Sequence, residues 1–189
     1  MNNWITKVKQ LLNEHGPTYA WENAHIFCHK QFISLFKQRV TDCFLQNWFS
    51  DLNSYTILDS LYKHVKQQFE IEFYICNIVL RRVRDALTTL RVSSHGLRVE
   101  SGRCGRDRIE KAQRKCIYCT SNDIEDELHF VIKCSFYNDI RIRFIFNYSY
   151  TKSIVLKCTD LVRSNNKRQV NNLGKFINLA FQRRTSANL

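Results

Sequence analysis

One proline, Pro17, and five glycines are the only strong breakers of regular structure in this 189-residue chain, and Gly96, Gly102 and Gly105 fall within ten residues of one another. Their scarcity predicts long helices interrupted once, near residue 100. Trp4, Ile5, Val8, Leu11 and Leu12 recur at offsets of three and four and stop at Gly16 and Pro17, the spacing of a first helix. Phe32, Leu35, Phe36, Val40, Cys43, Phe44 and Trp48 form a longer stripe, continued by Leu58, Leu61, Tyr62, Val65 and Phe69, and a stripe of this kind is expected to face a core. Val79, Val83, Ala86 and Leu87 make the next, with Arg81, Arg82 and Arg84 pointing elsewhere. In "EIEFYICNIV", from Glu70, weak alternation makes a short strand the main local competitor of helix. Helical patterns resume in "YNDIRIRFIFNY" and again at Val170, Leu173, Ile177, Ala180 and Phe181. The expected fold class is therefore all-α. A helical bundle over residues 1–92 precedes a basic loop and metal-binding module over 93–145, and a basic helical segment occupies 146–189.

Charge narrows the choice of partner. Lys plus Arg number 29 against 17 for Asp plus Glu, a net charge of +12, which concentrates polyanions: nucleic acid first, anionic membrane surface second. No run approaches the roughly 18–20 apolar residues needed to span a bilayer, so no integral membrane segment is expected. The opening "MNNWITKVKQLLNEHG" lacks the apolar run of a secretory signal. The eight cysteines are accordingly expected to be reduced, in the nucleus or cytoplasm. The basic stretch 94–115 carries Arg98, Arg103, Arg106, Arg108, Lys111, Arg114 and Lys115 against Glu100, Asp107 and Glu110, and its glycines suggest a flexible approach to the first cysteine pair.

That pair opens the segment "CIYCTSNDIEDELHFVIKC", in which Cys116, Cys119, His129 and Cys134 have the spacing C-x2-C-x9-H-x4-C. Two cysteines two residues apart can face one ion from a tight turn, and a second pair can close a tetrahedron around zinc. Asn122 is expected to cap a helix carrying the second pair, with Glu125 three residues later. On a regular helix His129 and Cys134 would stand about 140° apart, so the helix must end or loosen before Cys134. Asp123, Glu125, Asp126 and Glu127 need no role beyond a charged capping segment. The competing reading makes the cysteines small buried hydrophobes. Cys28, Cys43, Cys76 and Cys158 are read that way, the other histidines as helix-end or surface residues, and Cys104 as a competing ligand.

The ordered series Arg114, Lys115, Cys116, Cys119, Glu127, His129, Phe130, Cys134, Ser135 and Tyr137 resembles the zinc-binding C-terminal region of reverse transcriptases from LINE-type, non-LTR retrotransposons, most closely over residues 90–145. Ser135 stands where that family usually has proline. The resemblance implies a thumb-like or connector region before the module, a bound Zn2+, and help in holding RNA or target DNA near a polymerase. The paired aspartates of the polymerase and the Pro-Asp pair of an associated nuclease are both absent, so the expectation is a non-catalytic fragment whose partners are nucleic acid and the remainder of such a polymerase. Zinc would order a segment poor in apolar residues. It would then present Arg98, Arg103, Arg106, Arg108, Arg114 and Lys115 to phosphates, with Tyr118 either stacking on a base or covering the sulfurs. A structural or protein-interaction module with purely stabilising zinc is the alternative.

Overall fold

The computed structural model describes residues 3–16, 18–23, 28–54, 61–104, 108–145 and 154–187. Pro17, Leu58, Gly105 and Arg106 lie outside these, as does the side chain of Cys104. Contacts divide the chain into two units, Met1–Tyr55 and Thr56–Leu189. The division does not fall in the glycine cluster.

In the first unit α1 spans Trp4–His15 and ends at Gly16, whose φ of 91° is the left-handed turn that glycine adopts without penalty. A short α2, Tyr19–Glu22, leads towards α3, His29–Ser54. The His15 ring meets Phe36 edge-on at 6.1 Å. Among the described residues only Leu12 and Leu52 are buried in this unit. The stripe expected to face a core is only partly covered: Phe32, Phe36, Val40, Cys43 and Trp48 are half-buried, and Leu35 and Phe44 remain 56% and 50% exposed. The apolar residues of α3 run around its whole circumference, so a single neighbouring helix cannot cover them.

The second unit contains α4 (Leu61–Val65), α5 (Phe73–Asn77), α6 (Arg81–Arg91), α7 (Arg98–Cys104), α8 (Asn138–Ile145), α9 (Ile154–Arg163) and α10 (Lys167–Ala187). No strand occurs among the described residues, and one antiparallel bridge joins Lys115 to Ile124. An all-α fold is therefore what forms, and "EIEFYICNIV" resolves into the short α5 flanked by extended residues. Val79 is 84% exposed and outside α6, because Leu80 adopts the extended conformation of a residue preceding a helix. Phe69, counted in an earlier stripe, is also exposed.

One core holds this unit together. Val170, Leu173, Ile177 and Ala180 line one face of α10 at the expected spacing and are buried with Val83, Leu87 and Leu90 of α6. Phe130, Val131 and Tyr137, from the cysteine-rich segment, enter the same core. That segment is not short of apolar anchors, and residues 61–91 share a core with those after 154, where a bundle confined to residues 1–92 was expected. Buried Arg91 ties α6 to α9, donating to the Val162 carbonyl at 2.6 Å and to Glu72 at 2.5 Å.

Gly174 sets how closely α10 can approach α6. A Cβ there would lie 2.5 Å from Val83 Cγ1, 2.9 Å from Leu87 Cδ1 and 3.0 Å from the Val83 carbonyl oxygen. Helix propensity alone predicts that Gly174→Ala gains about 0.5–1 kcal/mol. Overpacking of about 1–3 kcal/mol opposes that gain, so we expect a lower urea midpoint for the variant. A raised midpoint would contradict the close crossing.

Candidate metal centre

Cys116 and Cys119 sit in a tight hairpin whose ends are pinned by backbone bonds, Cys116 N–H to the Asp123 carbonyl and Glu125 N–H to the Arg114 carbonyl, both at 2.9 Å. Asn122, at φ 57°, makes the left-handed turn instead of capping a helix. Asn tolerates that conformation better than most residues. The cap falls on Asp126, whose Oδ1 accepts the His129 N–H at 2.7 Å. The helix then widens. Over His129–Lys133 it makes one π turn, closed by the Cys134 N–H donating to the His129 carbonyl at 2.7 Å. A five-residue turn is the loosening that the His-x4-Cys spacing requires, since it brings residues five apart onto one side.

The four ligand atoms consequently converge, all within 4.8 Å of one another, and can hold a metal ion. The Sγ atoms of Cys116 and Cys134 are 3.8 Å apart, and Cys119 Sγ is 3.3 Å from His129 Nε2. These cysteines are free; sulfurs at that separation are far beyond the roughly 2.05 Å of a disulfide. Their crowding alters their acidity. The hydrogen bond with Cys134, then burial, pushes the Cys116 thiol up to about 12, and the same bond holds Cys134 below the usual thiol range. Burial opposes protonation of His129, yet hydrogen bonding and charge from Cys116, then Cys119, leave it raised. His129 Nδ1 lies 3.7 Å from the Asp123 carboxylate, on the side away from the sulfurs.

The acidic segment is more than capping. Glu125 is 1% exposed, receives both terminal nitrogens of Arg184 from α10, and accepts the Arg98 backbone N–H at 2.9 Å. Its Oε1 also lies 3.9 Å from Cys116 Sγ. Glu127 accepts from Ser93 Oγ and His95 Nε2, each at 3.1 Å. Burial pushes its carboxyl up, but His95 more than offsets this and leaves it below the usual range. The His95 side chain is thus buried against Glu127, where a surface or helix-end histidine was expected. Arg141 of α8 donates to the carbonyls of Val131 at 2.8 Å and Cys134 at 2.7 Å, satisfying acceptors at the end of the wide turn. Spacing could not reveal these pairs, since Glu125 and Arg184 are 59 residues apart.

The basic stretch is largely built into the structure. Arg114 donates from Nε to Ile109 at 2.9 Å and from Nη1 to Val99 at 2.8 Å, and its aliphatic carbons lie over Gly102. Arg103 pairs with Glu100, and both belong to α7, where a flexible loop was expected. Lys115 Nζ donates to the Asn122 carbonyl at 2.8 Å. Arg98 is half-buried, while Arg108 and Lys111 are exposed. Tyr118 stacks on Phe136 at 5.0 Å and lies under the Arg184 guanidinium at 4.7 Å. Of the other cysteines with described side chains, Cys158 is buried, Cys43 half-buried, and Cys28 and Cys76 exposed, against the expectation that all four belong to the core.

Arg184→Met leaves the Glu125 carboxylate buried and uncompensated, which should cost about 3–5 kcal/mol by chemical denaturation. Adding Glu125→Gln should restore much of that loss; additive effects would contradict the pairing. Metal uptake must also displace at least the Cys116 proton. Its apparent affinity, read by chelator competition, should rise about tenfold per pH unit for each proton displaced between about pH 5 and 8. A flat profile would contradict thiolate ligation. Comparison of the chain with protein families, curated proteins and solved structures finds no match.

Proposed function

We propose that the second unit is a non-catalytic, zinc-dependent nucleic-acid-binding module derived from a LINE-type reverse transcriptase, acting in the nucleus or cytoplasm. The carrying observation is the convergence of three sulfurs and one imidazole nitrogen beside exposed cations. Zn–S bonds of about 2.3 Å and a Zn–N bond of about 2.0–2.1 Å give a tetrahedron with edges near 3.8 and 3.6 Å. The separations of 3.8 Å between sulfurs and 3.3 Å from sulfur to nitrogen fit that size. This soft donor set favours zinc over the hard oxygen-seeking cations. Four protein ligands leave no position for an activated water, which makes the role structural.

In this reading zinc fixes the hairpin and the wide turn, and exposed Arg108 and Lys111, with half-buried Arg98, face the phosphates, while Lys115 braces the hairpin at Asn122. Arg103 and Arg114 hold the backbone that carries them. Tyr118 covers the site, its ring already packed against Phe136 and Arg184. The retrotransposon origin rests on the motif series alone. Among the described residues no helix is long and apolar enough to cross a membrane. Apolar residues that α3 exposes, Leu35 and Phe49 among them, support a second reading in which the first unit binds another protein.

Titration against single-stranded RNA and duplex DNA at several salt concentrations tests the proposal. Affinity should fall linearly with log salt and be lost on chelation. The double charge reversal Arg108→Glu and Lys111→Glu should weaken binding about tenfold or more at equal stability. Binding that ignores salt, chelation and charge reversal would overturn it.

A further inference from the structure

Asp160 is the last acid in the sequence, and six cations lie beyond it: Arg163, Lys167, Arg168, Lys175, Arg183 and Arg184. Three of these have structural partners. Arg183 grips Asp139 at 2.5 and 2.6 Å, Arg184 holds Glu125, and Arg163 donates to Gln67. Lys167, Arg168 and Lys175 form no ion pair among the described residues.

These three line one groove of about 490 Å³, together with Asn171 and the crossing segment Asn77, Ile78, Val79 and Leu80. No carboxylate lines it. At 100° per residue Lys167, Asn171 and Lys175 progress through about 80° of α10, with Arg168 beside them, so one helix face carries all four. Lys167 and Arg168 occupy the first turn of α10, where the helix dipole is positive and no acid offsets it. The charge there is unfavourable in the free protein and is relieved by an anion. Facing the cations, Val79 and Leu80 are exposed and apolar. The close crossing at Gly174 packs α10 against Val83 and Leu87 of α6, the helix that directly follows this segment.

We propose that this groove is a second nucleic-acid contact, taking the phosphodiester backbone of a single strand along Lys167, Arg168 and Lys175, with a base or sugar against Val79 and Leu80. From Lys167 to Lys175 the helix rises about 12 Å, the reach of roughly three consecutive phosphates of an extended strand. The groove has the volume of a small-ligand cleft. That volume admits an unpaired nucleotide, and the exposed apolar Val79 and Leu80 suit a base that is not paired to a second strand. This inference rests on the nucleic-acid reading above and adds a site remote in sequence from the cysteine segment.

The test uses the full chain and a labelled single strand of roughly ten nucleotides, with the triple variant Lys167→Gln, Arg168→Gln, Lys175→Gln alongside Arg108→Glu/Lys111→Glu. The groove variant should keep the parent urea midpoint and lose about tenfold or more in affinity. Its log-salt slope should become shallower by about 2, from roughly 0.7 per phosphate released. In the unaltered chain, a strand carrying 4-thiouridine should photo-cross-link to the 77–80 segment. Binding with neither a slope change nor that cross-link would overturn the groove and leave the metal-centre reading standing. Absence of binding to any nucleic acid would overturn both. Equal loss for duplex DNA, or equal competition by poly-glutamate, would overturn the single-stranded occupant.

Discussion

Bringing three sulfurs and an imidazole nitrogen within 4.8 Å is the constraint around which the cysteine-rich segment is arranged. Thiolates at that spacing repel one another, and thiols so placed must share protons, as the raised Cys116 and lowered Cys134 show. A divalent cation removes the conflict by deprotonating the sulfurs and neutralising them together. The hairpin at Asn122, the cap at Asp126 and the wide turn over His129–Lys133 all place donor atoms at this point. The wide turn would be a costly irregularity in an ordinary helix. Here it is what a five-residue separation between two ligands demands, with Arg141 taking up carbonyls at its end.

A second layer anchors the site to the core. Glu125 joins the hairpin to α10 through Arg184 and to the start of α7 through the Arg98 backbone, while Glu127 reaches back to Ser93 and His95. Buried ion pairs add little net stability because desolvation opposes their attraction, but breaking one partner away is expensive. Their effect here is positional: they allow one arrangement of hairpin, α7 and α10. Phe130, Val131 and Tyr137 add the non-directional part by entering the core shared with α6 and α10. The cysteine segment is therefore an integral corner of the second unit, and its order draws on apolar burial as well as on any ion.

Where local chemistry decides the outcome, the sequence was legible. Gly16 ends α1, the three-and-four spacing of Val170, Leu173, Ile177 and Ala180 marks the buried face of α10, and the four ligand candidates meet. Distant partners were not legible. Glu125 looked like helix-capping charge because its partner Arg184 is far along the chain. The glycine-punctuated stretch looked flexible because nothing local announces that Gly102 makes room for Arg114 or that Arg114 binds two carbonyls. The stripe on α3 looked buried because spacing reports which residues are apolar and says nothing of whether enough neighbours exist to cover them. Cationic residues misled in a similar way: several that seemed free to meet phosphate, Arg103, Arg114 and Lys115 among them, are engaged in holding the fold, whereas Arg108 and Lys111 are exposed.

A metal ion held by Cys116, Cys119, His129 and Cys134 is the central claim, and elemental mass spectrometry of the purified chain addresses it most directly, paired with the same measurement on Cys134→Ser. One zinc per chain, absent from the variant, is the result expected. A chain that is fully folded and free of metal, with the same cysteines reactive as ordinary independent thiols, would contradict it.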